Sequence, residues 1–102
     1  MAHYAIIMSN SSTVEDRAQA AYYVKLSDES AINAGGKVLV NADADNITQL
    51  EGSYKYPRCK IYEFPDEESA RNWHYGEEYQ SAYLKRPPGF DVTKILVPEF
   101  LG

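Results

Sequence analysis

Hydrophobic and polar positions follow two different rhythms along this chain. HYAIIM at 3–8, KVLV at 37–40, RCKIYEF at 58–64 and VTKILV at 92–97 are short runs rich in apolar residues and bounded by turn formers, the pattern of β-strands. ITQLEG at 47–52 reads as a short second strand of a hairpin, because NADADN at 41–46 is dense in side chains that bond their own backbone. Between the first two strands, residues 14–33 read as a helix. Val14, Ala18, Ala21, Tyr22 and Lys25 recur at i, i+3/i+4 spacing, with Leu26 and Ala31 extending the stripe. Thr13 is the best placed N-cap, the DES cluster at 28–30 is a potential kink, and Gly35-Gly36 ends the segment. A second helix opens at Asp66, with Glu67 and Glu68 near its positive end. Gly76 interrupts it, EEYQSAYLKR continues as a further set of turns, and PPG at 87–89 stops it.

The order β-α-β-(β)-β-α-β predicts an α+β fold, a ferredoxin-like βαββαβ sandwich with helices on one face of the sheet. The chain of 102 residues suits one small domain spanning 1–102. Strand parity adds a constraint. In 58–64, Cys59, Ile61 and Glu63 share one face and Lys60, Tyr62 and Phe64 the other. In 92–97, Val92, Lys94 and Leu96 oppose Thr93, Ile95 and Val97; in 3–8, Tyr4, Ile6 and Met8 oppose His3, Ala5 and Ile7. Both faces are largely apolar, yet the helices suffice for one. The expectation is a homodimer in which a second copy covers the helix-free face.

Charge and cysteine content narrow the function. The net charge of −5 argues against nucleic-acid binding, which needs a basic surface. MAHYAIIMSNSS lacks a basic leader region, so no signal peptide is expected, and no window nears the roughly 18 apolar residues of a membrane span. Cys59, the only cysteine, forms no internal disulfide and fits a reducing, cytoplasmic setting; mid-strand, it reads as an inert small apolar residue. Nine tyrosines against three phenylalanines and one tryptophan fit a half-polar cavity or interface as well as an ordinary surface.

The candidate chemistry centres on Glu63, a carboxylate between Tyr62 and Phe64 in an apolar strand. Such a group is paired, hydrated or protonated. It is expected to line a pocket as a proton-transfer group or ligand anchor; the plainer alternatives are a structural partner of Arg58, Arg71 or Arg86 and a strand-end group reaching water. His3 and His74 are the only histidines and the natural acid–base residues near neutral pH, though both also suit strand-end and helix-surface positions. Two histidines without close spacing make no metal site, and no phosphate loop, dinucleotide fingerprint or nucleophile elbow calls for a cofactor. Trp73, Tyr79, Tyr22, Tyr23 and Tyr83 form a core or a pocket wall, and Arg86 is placed to orient an anion or to pair near a helix end.

A resemblance joins these residues. AGGKVLV, then LEG, then YEFPDEESARNW, then EEYQ and a following Arg resemble the family called domain of unknown function 1330, within the dimeric α+β barrel superfamily, from Tyr23 to the last strand. Gly35, Gly36, Leu50, Glu51, Gly52, Glu63, Phe64, Ala70, Trp73, Glu78, Tyr79 and Arg86 fall where the family pattern has them, and Tyr23 falls on a first-helix tyrosine. The chain departs from the pattern at Ala34 and Lys37, where an aromatic and an Arg are usual, at Asn41 in place of Arg, at Gly76-Glu77 in place of Ser-Pro, and at His74 in place of Tyr. The resemblance implies two ferredoxin-like sheets paired in a dimeric α+β barrel. Superfamily relatives include small oxygenases, isomerases and polyketide cyclases, although fold does not dictate function. The expected function is cofactor-independent cyclisation, isomerisation or oxygenation of a small, partly aromatic compound in a pocket. The competing expectation is a non-catalytic ligand-binding or interaction protein.

Overall fold

In the computed structural model, which describes all residues from Met1 to Gly102, four strands form one antiparallel sheet in the order β2-β3-β1-β4. β1 (His3–Ser9) and β3 (Arg58–Phe64) lie at the centre; β2 (Lys37–Ala42) and β4 (Val92–Pro98) are the edges. The register sets His3 opposite Phe64 and Pro98, and Ile7 opposite Lys60 and Lys94. Three helices, α1 (Arg17–Asn33), α2 (Glu67–Tyr75) and α3 (Glu77–Tyr83), cover one face. This is the ferredoxin-like α+β arrangement that the element order predicts.

Local chemistry explains the boundaries. Asp16, not Thr13, caps α1, its carboxylate accepting from the Gln19 N–H at 3.0 Å. Thr13 instead closes a turn on the Asn10 carbonyl. α1 passes through Asp28-Glu29-Ser30 without a break and ends in a Schellman pattern: Gly36 N–H donates to the Ala31 carbonyl and Gly35 N–H to that of Ile32. Gly35 has φ +94°, and a Cβ at Gly36 would lie 2.7 Å from the Phe64 ring, so the pair turns the chain and lets it pass close to the core. Asp66 caps α2 as expected, accepting from Ser69 N–H at 2.7 Å. Gly76 separates α2 from α3, where a Cβ would meet the Asn72 carbonyl oxygen at 2.4 Å.

Two expectations are corrected. Residues 47–52 form no strand; the chain from 43 to 57 is a connection held by side-chain bonds such as Tyr54 N–H to the Gln49 amide oxygen, so Asx-rich turn chemistry did not imply a hairpin. The buried face of α1 is also rotated from the apolar stripe. It carries Ala20, Tyr23, Ser27, Ser30 and Ala31, while Tyr22 is exposed, because two serines find buried partners.

The core is aromatic and lies between sheet and helices, where Tyr62, Phe64, Trp73 and Tyr79 meet. Trp73 stacks on Phe64 at 5.3 Å and meets Tyr62 and Tyr79 at 5.3 and 5.1 Å. The helix-covered face of the sheet is unexpectedly polar: His3, Ser9 and Lys60 are buried there. The helix-free face is the more apolar, with Ile6, Met8, Cys59, Ile61, Ile95 and Val97 beside Tyr4 and Glu63. The Cα frame is only 16 Å deep along its short axis, and Ile95 is 45% exposed.

Candidate functional site

Burial of polar atoms among aromatic rings defines the site. Arg86, in the turn that follows α3, reaches back beneath the helices. Its Nη2 donates to the hydroxyls of Tyr23 at 3.0 Å and Tyr79 at 2.8 Å, and those hydroxyls are 2.8 Å apart. The guanidinium lies over Tyr23 and Tyr83 at 4.9 and 4.7 Å from the ring centroids. Burial, then the neighbouring phenol of Tyr23, raises the Tyr79 pKa and holds that phenol protonated. Arg86 Nε is buried without a hydrogen-bond partner.

Next to this network stands Lys94, which β4 delivers to the helix-covered face in phase with Val92 and Leu96. Its Nζ lies 3.8 Å above the Tyr79 ring and 4.5 Å from that of Trp73, and 3.3 Å from His74 Nδ1. No carboxylate pairs with it. Two effects oppose each other. The ring faces favour an ammonium by about 0.5–2 kcal/mol. Removing an ammonium from water costs several kcal/mol, and the Arg86 guanidinium adds repulsion. Burial wins: with Arg86 it pushes Lys94 down to about 7. Burial, then Lys94 and Arg86, also lowers the His74 pKa. A neutral imidazole whose Nδ1 accepts from the Lys94 ammonium fits this balance, with the imidazole proton on Nε2.

Lys94 and His74 share the wall of a cavity of about 190 Å³ between α2 and β4, with Ala5, Ala70, Trp73 and Leu96 among its apolar lining. Arg71 also lines it but is held by Glu67, Nε to Oε2 at 2.6 Å. The site can therefore present an amine, an imidazole and an indole face to one small molecule, with no carboxylate in the lining.

A second polar chain lies deeper under α1. Trp73 Nε1 donates to Ser30 Oγ at 2.9 Å, and Ser30 Oγ donates to the Ser27 carbonyl at 2.7 Å. The Tyr62 hydroxyl donates to Asp28, which Lys60 Nζ meets at 2.7 Å. The adjoining cavity of about 30 Å³ has space for about one water.

Of the residues singled out on sequence, the fold brings Tyr23, Trp73, His74, Tyr79 and Arg86 together. His3 and Glu63 lie elsewhere. His3 is buried at the start of β1, Nε2 3.5 Å from Glu67 Oε1. Glu63 is on the helix-free face, 3.2 Å from Lys37 Nζ, a partner outside the three arginines considered for it. Tyr22 and Tyr83 are each 48% exposed. Lys94 is missing from the sequence candidates, although its inward parity with Val92 and Leu96 was the available signal.

Fold and site together define a ferredoxin-like α+β protein with a basic, aromatic pocket beneath its helices. The chain belongs to the family described as Domain of unknown function (DUF1330), whose pattern matches residues 3–100. Among solved structures it is similar to a protein of unknown function from Rhodopseudomonas palustris, at 15% identity and a TM-score of 0.73 over 99% of this chain and 84% of that one. The methylated form of that protein is similar at 17% identity and a TM-score of 0.70, over 99% and 83% of the two chains. At these identities the likeness shows the fold. No protein with a curated description matches the chain. No helix is long and apolar enough to cross a membrane.

Proposed function

We propose that this protein binds a small, partly aromatic organic anion in the cavity between α2 and β4 and moves a proton on it, as a cofactor-independent isomerase or cyclase does. The observation that carries this reading is the Lys94–His74 pair, 3.3 Å apart in a cavity wall shared with Trp73 and without a carboxylate partner. An ammonium on Lys94 attracts the anion and Trp73 offers a ring face; once that ammonium turns to the anion, the freed Nδ1 of neutral His74 accepts a proton from an acidic C–H. Arg86, tied to Tyr23 and Tyr79, positions the ring beneath Lys94 and keeps the local potential positive. The reaction is set in the cytoplasm, where the free thiol of Cys59 stays reduced.

The test is deuterium exchange into the benzylic position of phenylpyruvate, an aromatic oxo acid with an enolisable C–H, followed by NMR in heavy water. The full chain accelerates exchange, and His74→Gln abolishes the acceleration. A rate equal to that of buffer removes the reading.

The same proposal includes a homodimer. The support is the apolar helix-free face, together with exposed Phe100 and Leu101 in the tail that leaves β4. A second copy is self-complementary to such a face, whereas a helix-free sheet in water leaves Ile6, Ile61 and Ile95 uncovered. Glu63 and Lys37 would then lie within or beside the interface. Light scattering is expected to give twice the 11.5 kDa chain mass, and Ile61→Lys to give the monomer. A stable 11.5 kDa species in the unsubstituted protein rules the dimer out.

A further inference from the structure

We propose that Lys94 is a carbonyl-capturing amine, which forms an imine with an aromatic aldehyde or oxo acid held in the cavity between α2 and β4, with His74 as its proton shuttle. The inference rests on the binding reading above and goes beyond it, because it assigns a covalent step to a residue of β4.

The geometry provides each requirement. Lys94 is half-buried in the cavity wall, and no carboxylate fixes its Nζ as an ammonium. The groups facing it are His74 from α2, Tyr79 from α3 and Arg86 from the turn after α3, alongside the Trp73 ring. None carries negative charge at neutral pH, since the Tyr79 phenol is held protonated by burial. A desolvated lysine beside another cation is the arrangement that frees an amine for nucleophilic attack. The depressed lysine pKa agrees with that geometry.

The step balances without an oxidant or reductant. The Nζ lone pair attacks the carbonyl carbon and forms the C–N bond, while the C=O π pair moves to oxygen. The nitrogen releases a proton to His74 Nδ1, 3.3 Å away. His74 returns that proton to the alkoxide, giving the carbinolamine, and then carries the second N–H proton to its hydroxyl, which leaves as water as the C=N bond forms. The sum is amine plus carbonyl to imine plus water. The imine, once protonated, acidifies the adjacent C–H and so deepens the proton-transfer chemistry of the same site. Hydrolysis restores Lys94.

Reductive trapping tests this. The full chain is incubated near neutral pH with phenylpyruvate and cyanoborohydride, and the adduct is located by peptide mapping. At this pH exposed lysines are almost wholly protonated, so Lys94 is labelled at least about tenfold faster than the other lysines. Lys94→Met removes the fast adduct, and His74→Gln slows it. Lys94→Arg keeps a cation and forms no imine, so loss of benzylic exchange in that variant also supports the covalent route. Accelerated exchange with no adduct at Lys94 overturns the imine and leaves the proton-transfer reading standing. Adducts spread evenly over Lys25, Lys37, Lys55, Lys60, Lys85 and Lys94 overturn it as well. Neither exchange nor adduct overturns both readings.

Discussion

Trp73→Ala lowers the unfolding free energy by roughly 3–5 kcal/mol, the range for deleting a large buried aromatic. Three effects add. Trp73 is 4% exposed, so its apolar surface is lost from the core. Its indole touches the rings of Tyr62, Phe64 and Tyr79 from three sides, and the vacated space adjoins the 190 Å³ cavity, so collapse around it is limited. Ser30 Oγ also loses its donor, the indole N–H. Trp73→Phe separates the last effect, because it keeps a ring and removes the N–H; the expected cost of that lost bond is roughly 1–2 kcal/mol. Urea denaturation followed by circular dichroism measures both. An unchanged midpoint in Trp73→Ala would place the indole outside the core and contradict the aromatic packing.

Trp73 also shows why the fold was legible. Ala70 and Trp73 sit at i, i+3 in α2, and strand parity places Tyr62 and Phe64 on one side of β3, so local periodicity alone points them at each other. The split at Gly76 and the stop at Gly35 were equally local, since a Cβ at Gly76 would meet the Asn72 carbonyl one turn back and Gly35 has φ +94°. The failures have a different origin. α1 buries Ser27 and Ser30, which are polar in sequence; Ser30 bonds the Ser27 carbonyl within the helix, but their other partners, Tyr62 and Trp73, are supplied by the fold. A hydrophobic stripe is blind to partners that arrive from distant segments. The 47–52 segment failed because a run of turn formers at 41–46 reverses the chain without fixing what pairs with the strand before it. For β2, the paired edge is β3, reached after a fifteen-residue connection from 43 to 57.

The site was half legible for the same reason. Tyr23, Trp73, Tyr79 and Arg86 come from four separated places, and the resemblance to a known pattern named them. Their contact, with Arg86 bridging two phenols, depends on how α3 and its following turn fold back over α1. Glu63 drew notice as a charge in an apolar strand, but Lys94 is the same anomaly on the other face. A lysine is easily read as snorkelling to water. Here β4 aims it inward, beneath Trp73 and Tyr79, and the ring faces replace part of the water it loses.

Lys94→Met is therefore expected to make the protein more stable. Below about pH 7 the folded state must hold a cation that burial and Arg86 oppose, whereas the unfolded state hydrates it freely. Methionine fills similar volume with no charge to desolvate. The expected gain near neutral pH is roughly 1–3 kcal/mol, less than the full shift implies because the aromatic faces and His74 already compensate part of the cost. The sign of the pH dependence follows from proton counts. Between about 7, the folded Lys94 value, and 10.5, its ordinary value, the unfolded chain binds more protons than the native one. Stability of the parent protein therefore rises with pH across that window, and the methionine variant lacks this contribution. The gap between the two closes as the pH approaches 10.5. On the acid side the gap widens. The His74 pKa is lowered by burial, then by Lys94 and Arg86, so the parent loses stability as pH falls from the ordinary histidine value of 6.5 through the folded one. Without Lys94 that loss shrinks. Paired urea titrations of parent and variant across the range give the whole curve. The tyrosines, which titrate in both proteins, largely cancel in the difference. A gap that closes upward marks Lys94 as a residue kept at a cost in stability, as groups that serve binding or catalysis often are. A variant less stable than its parent at every pH would instead make Lys94 a structural cation, held by its rings and His74, and would withdraw the main physical support for its role as a reactive amine.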